Sequence, residues 1–280
     1  MPGWVARAFA HSREEVDANG VTATSCGSLT LLSLSRANVE RLDVADLRDA
    51  VVDTYVRLGE ALARAGLCGI RIWNYMPDPT ERLSEGLDRY MVFNEGRSIG
   101  YRRWPGGDDV IPTASAVGIQ CGRLVVHCLA AREPGRPVEN PRQTSAWRYS
   151  KRYGPTPPRF SRATVAVVAD RPLMLIGGTA SIVGEDTVHA GSLERQADET
   201  LTNLAALIAA ACIEQDIPSA LGRLQDVRAY VTAPHHAATV RDVLARRCPE
   251  LATVEFATTR LCRPELLVEI EGVASLSQRA

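Results

Sequence analysis

Near the end of the 280-residue chain, LLVEIEGVA sets Glu269 and Glu271 two residues apart in an apolar stretch. Residues at that spacing share one face of a strand. Neighbouring carboxylates repel each other, and the flanking Leu266, Leu267, Val268 and Ile270 are expected to desolvate them. Both effects raise a carboxyl pKa. One member of the pair is therefore a candidate proton donor near neutral pH. The competing reading is a solvated face of an edge strand. Arginine supplies complementary chemistry. Of 32 basic residues, all but Lys151 are arginine. Planar guanidinium forks suit carboxylates and phosphates. A single lysine leaves only one position for Schiff-base chemistry or a phosphate-loop lysine.

Other chemistries lack their motifs. The 7 cysteines (Cys26, Cys68, Cys121, Cys128, Cys212, Cys248 and Cys262) are odd in number and form no CxxC pair. That argues against a disulfide framework and a thiolate zinc site. The 5 histidines include no HExxH, and the adjacent His235 and His236 point to opposite sides of any regular element. Ser145 and Ser161 stand in no GxSxG frame. No metal and no organic cofactor is expected. A net charge of −1 removes the general electrostatic case for nucleic-acid binding. No apolar run reaches the roughly 18 residues of a membrane span. The opening MPGWVARAFAHSREEVDANG turns acidic at once and reads as no signal peptide, so a cytoplasmic location is expected. With 45% hydrophobic residues the chain can build a sizeable core.

The elements that must position these groups follow from periodicity. Residues 38–66 read as a helix, with Leu47, Val51, Tyr55, Leu58 and Leu62 on one stripe and Gly66 as its stop. GIRIWNYMPD reads as a strand running into a loop at Asn74 to Pro79, and 81–100 as a helix. ASAVGIQCG and RLVVHCLAA read as strands. Residues 132–163, rich in Pro and Arg with Trp147, Tyr149 and Tyr153, show no period and read as a long functional loop. ATVAVVAD and LMLIGGTASIVG are expected strands, and ERQADETLTNLAALIAAACIEQ a strong amphipathic helix. VRAYVTA, AATVRDVLARRCP and LLVEIEGVA close the chain as strand, helix and strand. The second half thus reads β-β-α-β-α-β, an α+β layer, and the first half has a similar but weaker order. Halves of 1–145 and 146–280 are expected.

At this point the residues resemble known families. GGTASIVG (177–184), QADETLTNL (196–204), DVRAYV (226–231) and VEIEGVA (268–274) resemble the RidA/YjgF, or chorismate-mutase-like, fold. RIWNY (71–75), AVG (116–118), PRQTSAWRYSKRYGPTPPRFSRA (141–163), GTASIVG (178–184) and CRPELLVEIEG (262–272) resemble the chorismatases. The long 141–163 stretch is the most specific of these. The resemblance begins near residue 68 and leaves the first 37 residues without a reading.

Chorismatases split chorismate into pyruvate and either a cyclohexadiene diol or a hydroxybenzoate. The resemblance implies two RidA/YjgF-like α+β halves, chorismate as the small-molecule partner, and a monomer or trimer. It places the catalytic acid on Glu269, first of the EIE triplet, with Glu271 as the alternative. It implies Arg97 and Arg162 as carboxylate clamps. Tyr90, Tyr149 and Tyr153 would hold the ring and its hydroxyl, and Gly178 and Thr179 would lend backbone amides. Ala180 and Cys262 would sit beside the ring and choose the product. Cys262 resembles the hydroxybenzoate-forming branch and Ala180 the hydrolytic one. We favour 3-hydroxybenzoate, because a thiol beside the ring can assist proton movement during aromatisation. The alternatives are hydrolysis to 3,4-dihydroxycyclohexa-1,5-diene carboxylate and a RidA-type enamine/imine deaminase using Arg260 or Arg263. A non-enzymatic ligand-binding module on the same fold is a third.

Overall fold

The computed structural model describes residues 1–109, 111–168, 171–212 and 220–277. The first half contains α1 (Gly3–Phe9), β1 (Glu14–Val16), β2 (Thr22–Cys26), β3 (Leu29–Arg36), α2 (Val44–Ala65), β4 (Cys68–Pro77), α3 (Arg89–Tyr101), β5 (Thr113–Ile119) and β6 (Leu124–Ala131). The second contains β7 (Arg136–Val138), β8 (Ala163–Val168), β9 (Arg171–Ala180), β10 (Ile182–Val183), β11 (Asp186–Thr187) and α4 (Leu193–Ala211). It ends with β12 (Leu224–Val231), α5 (His236–Arg247), β13 (Thr253–Thr258) and β14 (Val268–Ser275).

Local chemistry sets the helix ends. The Asp43 carboxylate accepts from the Asp46 amide at 2.9 Å and caps α2. Gly66, at φ 61°, ends that helix in the left-handed region that glycine adopts without strain. The Asp88 carboxylate accepts from the Met91 amide at 2.8 Å and starts α3. The helix expected over 81–100 therefore begins only at Arg89. The strand expected to fray at Asn74 continues to Pro77, because β5 pairs with it in parallel to that point.

Two six-stranded sheets result, in the orders β1-β2-β3-β6-β4-β5 and β13-β12-β14-β9-β8-β7. They share one plan. A hairpin (β2–β3 or β8–β9) leads to a helix, a strand, a helix and a strand parallel to the previous one. A last strand (β6 or β14) then inserts antiparallel between hairpin and parallel pair. Six strands escape the sequence reading. Strand β1 and the hairpin β2–β3 lie in the unread first 37 residues, β11 follows the strand expected to end at Gly184, and β13 lies in a stretch given no element. In the long loop of 132–163, β7 pairs with β8 and joins the second sheet.

Alternation sorts the side chains into layers. Ile72, Met76, Ala114 and Val126 face α2 and α3. Val227, Ala229, Val268 and Ile270 face α4 and α5. The other faces of the two sheets meet, with Trp73, Tyr75, Val117 and Leu129 packed against Leu175, Ala180, Tyr230 and Val273. The order is helices, sheet, sheet, helices. The expected α+β architecture holds, and its sheet-on-sheet contact buries the odd-numbered positions of β14, including both glutamates. Among the described residues no helix is long and apolar enough to cross a membrane.

Candidate active site

A cavity of about 200 Å³ opens at one end of the seam between the sheets. Strand β5 contributes Ser115, β9 contributes Gly178 and Ala180, and β14 contributes Glu269. Tyr90 and Arg97 reach it from α3, and Tyr149, Tyr153, Phe160 and Arg162 from the segment before β8. Cys262 and Arg263 close it from the turn before β14. Nine of the ten expected site residues thus meet at one cavity.

Glu269 is 5% exposed. Burial lifts its carboxyl to about 8; the Glu271 charge adds to the rise, while Arg71 and Arg162 oppose it. The group is protonated at neutral pH and faces the cavity. It fits there because residue 178 is glycine: a Cβ at Gly178 would lie 1.9 Å from Glu269 Oε1. The desolvation does not come from Val268 and Ile270, as the sequence leads one to expect. Those side chains point to the helix layer. Leu266, Ala180 and Ile182 on the cavity side supply it instead.

Glu271 has a different environment. It is 2% exposed and does not line the main cavity. Its carboxylate accepts from Arg71 Nη2 at 2.6 Å, Tyr230 OH at 2.8 Å and Trp73 Nε1 at 3.2 Å, and from the Ser115 hydroxyl. The two glutamates, equivalent in sequence, are thus a free acid facing the cavity and a fully bonded anion behind it.

The arginines are similarly divided. Arg97 is completely buried; Nη2 donates to Asn94 Oδ1 at 2.7 Å, while Nε and Nη1 have no hydrogen-bond partner among the described residues. Arg162, 3% exposed, donates from Nη2 to Tyr149 OH at 2.7 Å and Thr144 O at 3.1 Å, and its Nε likewise has none there. Among the described residues neither forms an ion pair with an acidic side chain. Unpartnered buried guanidinium groups are costly and mark a place for an anion. Arg263 lies 3.8 Å over the Tyr153 ring and donates to Glu185 O and Thr187 Oγ1, at 2.9 and 3.1 Å. Other arginines of the long loop serve the scaffold. Arg142 pairs with Glu199, and Arg152 with Glu185 and Asp186. Arg260 is an exposed partner of Asp78, 2.9 Å away, and does not line the cavity.

Tyr149 and Tyr153 pack at 5.4 Å between ring centres. Burial raises the Tyr90 phenol well above its ordinary range, so it remains a donor. The Cys262 thiol is pushed up to about 12, first by burial and then by the Glu269 charge, and stays a neutral thiol.

Two expectations fail geometrically. Thr179 is absent from the cavity wall, because alternation turns its side chain away; its hydroxyl donates to Gly177 O at 3.1 Å. The Gly178 amide is not free for a ligand, since it donates to Ser115 Oγ at 2.9 Å. Sequence reasoning missed Arg71, Ser115 and Tyr230, and named Arg263 only for the deaminase alternative. A signal existed for Arg71: in RIWNY it alternates with Trp73 and Tyr75, so a charge on an otherwise aromatic face requires a buried partner.

Two sheets packed face to face, with a buried acid and two buried guanidinium groups that have no acidic partner among the described residues at one end of the seam, define a small-molecule site for an anionic ligand. Comparison with known proteins assigns the family. Residues 4–130 match the family model described as Chorismatase FkbO/Hyg5-like, N-terminal. The 3-hydroxybenzoate synthase of Streptomyces hygroscopicus is 33% identical over 234 residues, 80% of this chain and 69% of that protein. A chorismatase of Streptomyces rapamycinicus is 35% identical over 211 residues, 73% of this chain and 63% of that protein. A chorismatase crystal structure superposes with a TM-score of 0.83 at 27% identity, covering 94% of this chain and 79% of its own. A YjgF-family structure from Mycobacterium tuberculosis is 25% identical over 41% of this chain and 86% of its own, with a TM-score of 0.33. The chain belongs to the chorismatase family. The family match begins at residue 4, far ahead of the point near residue 68 where the resemblance is legible by eye.

Proposed function

We propose that this chain cleaves the enolpyruvyl ether of chorismate to pyruvate and a hydroxybenzoate, with 3-hydroxybenzoate as the favoured product. The observation that carries this reading is the buried Glu269 carboxyl facing a cavity whose buried Arg97 and Arg162 lack acidic partners among the described residues. Chorismate brings two carboxylates, which match two guanidinium forks. It also brings an enol ether, whose cleavage begins with a proton on the terminal methylene carbon. Glu269 is the donor in this mechanism, and Glu271, already saturated with hydrogen bonds, is not.

Protonation leaves an oxocarbenium ion. Attack by water gives a hemiketal that collapses to pyruvate and the ring diol, consuming one water. Release of 3-hydroxybenzoate consumes no net water, because the water added to the oxocarbenium carbon is offset by the ring hydroxyl lost as water on aromatising. Tyr90, Tyr149 and Tyr153 hold the ring and its hydroxyl. Ala180, opposite Glu269 in the β9–β14 register, and the neutral Cys262 thiol lie beside the ring and select the route. Gly178 acts by leaving room for the Glu269 carboxyl, and Thr179 supports the strand behind it. The chemistry needs no metal or organic cofactor.

We further propose cytoplasmic operation, in keeping with 7 free cysteines, and two halves, 1–145 and 146–280, of one topology with β7 reaching across that boundary. Product analysis after incubation with chorismate tests the reading. Chromatography with mass detection separates 3-hydroxybenzoate from the diene diol, which is heavier by one water. Imine hydrolysis, the second reading, draws on Arg263 beside Glu269; turnover of an enamine substrate without pyruvate from chorismate would favour it.

A further inference from the structure

We propose that Glu271 is a positioning residue for this reaction: a fixed negative charge, clamped behind the cavity floor, that acts on Glu269 without touching substrate. The inference rests on the reading of Glu269 as the acid. A buried ion pair contributes little to stability compared with apolar residues of the same volume. An Arg–Glu pair buried between two sheet faces therefore calls for another reason to be there.

The geometry supplies one. Glu271 has four donors on three strands: Arg71 and Trp73 on β4, Ser115 on β5 and Tyr230 on β12. So many donors fix the carboxylate in position. Arg71 is equally committed. Besides Glu271 it donates to Ser115 Oγ at 2.5 Å and to Ile72 O, and it lies 4.6 Å from the Trp73 ring centre. Ser115 ties this cluster to the site, because it also accepts from the amide of Gly178, the residue against which the Glu269 carboxyl rests.

Two effects of the same sign follow. Glu271 repels a second negative charge on its own strand, and it occupies the guanidinium that would otherwise favour ionised Glu269. The other groups facing Glu269 are Arg162, from the segment before β8, Cys262, from the turn before β14, and Tyr90, from α3. Those facing Glu271, besides its donors, are Tyr75 on β4, Arg228 on β12 and the Met1 amino group. The cations act against protonation of Glu269; burial favours it most, and the Glu271 charge is the charged group that adds to burial.

The test uses the full chain and two readouts. One is the pH profile of pyruvate release from chorismate. The other is the carbon-13 carboxyl titration of Glu269 without substrate, assigned by difference from Glu269→Gln. In Glu271→Gln the alkaline limb and the Glu269 midpoint should both fall by about one pH unit or more, while Glu271→Asp, which keeps the charge, should restore both. An unmoved Glu269 midpoint in folded Glu271→Gln overturns the proposal. The wild-type titration decides independently of any variant's folding: a Glu269 midpoint at its ordinary value of 4.5 overturns the proposal. If the carboxyl titrations behave as expected but chorismate yields no pyruvate, the proposed function fails and the electrostatic assignment stands.

Discussion

Substitution of Gly178 by alanine isolates the placement of the Glu269 carboxyl. The added Cβ would sit 1.9 Å from Oε1 and 2.7 Å from the carboxyl carbon of Glu269, where ordinary contact begins at 3.4 Å. The carboxyl must retreat by about 1.5 Å, the difference between the first and last of these distances. Its open direction is the cavity, where it would occupy substrate space. A displacement of about 1 Å in a catalytic group costs on the order of 100-fold in rate. We therefore expect Gly178→Ala to lower kcat/KM for chorismate by about 100-fold or more. Stability should change little, because the strain is relieved into empty space and alanine is compatible with a strand. Pyruvate release followed through a coupled dehydrogenase gives the rate, and differential scanning fluorimetry gives Tm. A folded variant within about threefold of wild type would refute the claim that glycine here makes room for the acid.

Glu269→Gln should be stabilising in a pH-dependent way. The wild-type carboxyl is raised in the folded state to about 8 from 4.5, so its stability contribution is full below pH 4.5 and is lost as pH rises through 8. The slope across that window is about 1.4 kcal/mol per pH unit at most, and glutamine removes it. The Tm of Glu269→Gln relative to wild type should therefore climb between those limits and level off above them; a pH-independent difference would contradict the protonated-acid assignment. Arg97→Gln and Arg162→Gln should each weaken chorismate binding by about 10- to 100-fold, the equivalent of a lost charge-assisted bond, as measured by calorimetry with Glu269→Gln as background. Cys262→Ala should shift the product ratio from 3-hydroxybenzoate toward the diene diol while pyruvate release continues; an unchanged ratio in the mass-detected chromatogram would remove Cys262 from product selection.

Much of the layer structure is legible in the sequence because it repeats. The stripe from Leu47 to Leu62 and the run around Leu201 to Ile208 bury wide apolar faces, and both helices form over them, although the first starts at Val44 behind its Asp43 cap and not at residue 38. Strands β2 and β13 are short, with half-exposed side chains of mixed polarity, so alternation gives them little signal. The cavity residues are legible as types, but their roles depend on distant partners. Nothing in EIE separates Glu269 from Glu271. The separation comes from Arg71, 200 residues away in the chain, and from Ser115 and Tyr230. Adjacency in sequence also misleads at a strand: Val268 and Ile270 flank Glu269 yet lie in the opposite layer. The same alternation removes Thr179 from a cavity that Gly178 and Ala180 both line.

Release of pyruvate from chorismate by wild type and by Glu269→Gln tests the central claim most directly. Wild-type protein should release stoichiometric pyruvate and ring product with no added cofactor. Glu269→Gln should release pyruvate no faster than the spontaneous rate while still binding chorismate. Full turnover by Glu269→Gln, or a wild-type rate no greater than the spontaneous one, would contradict it.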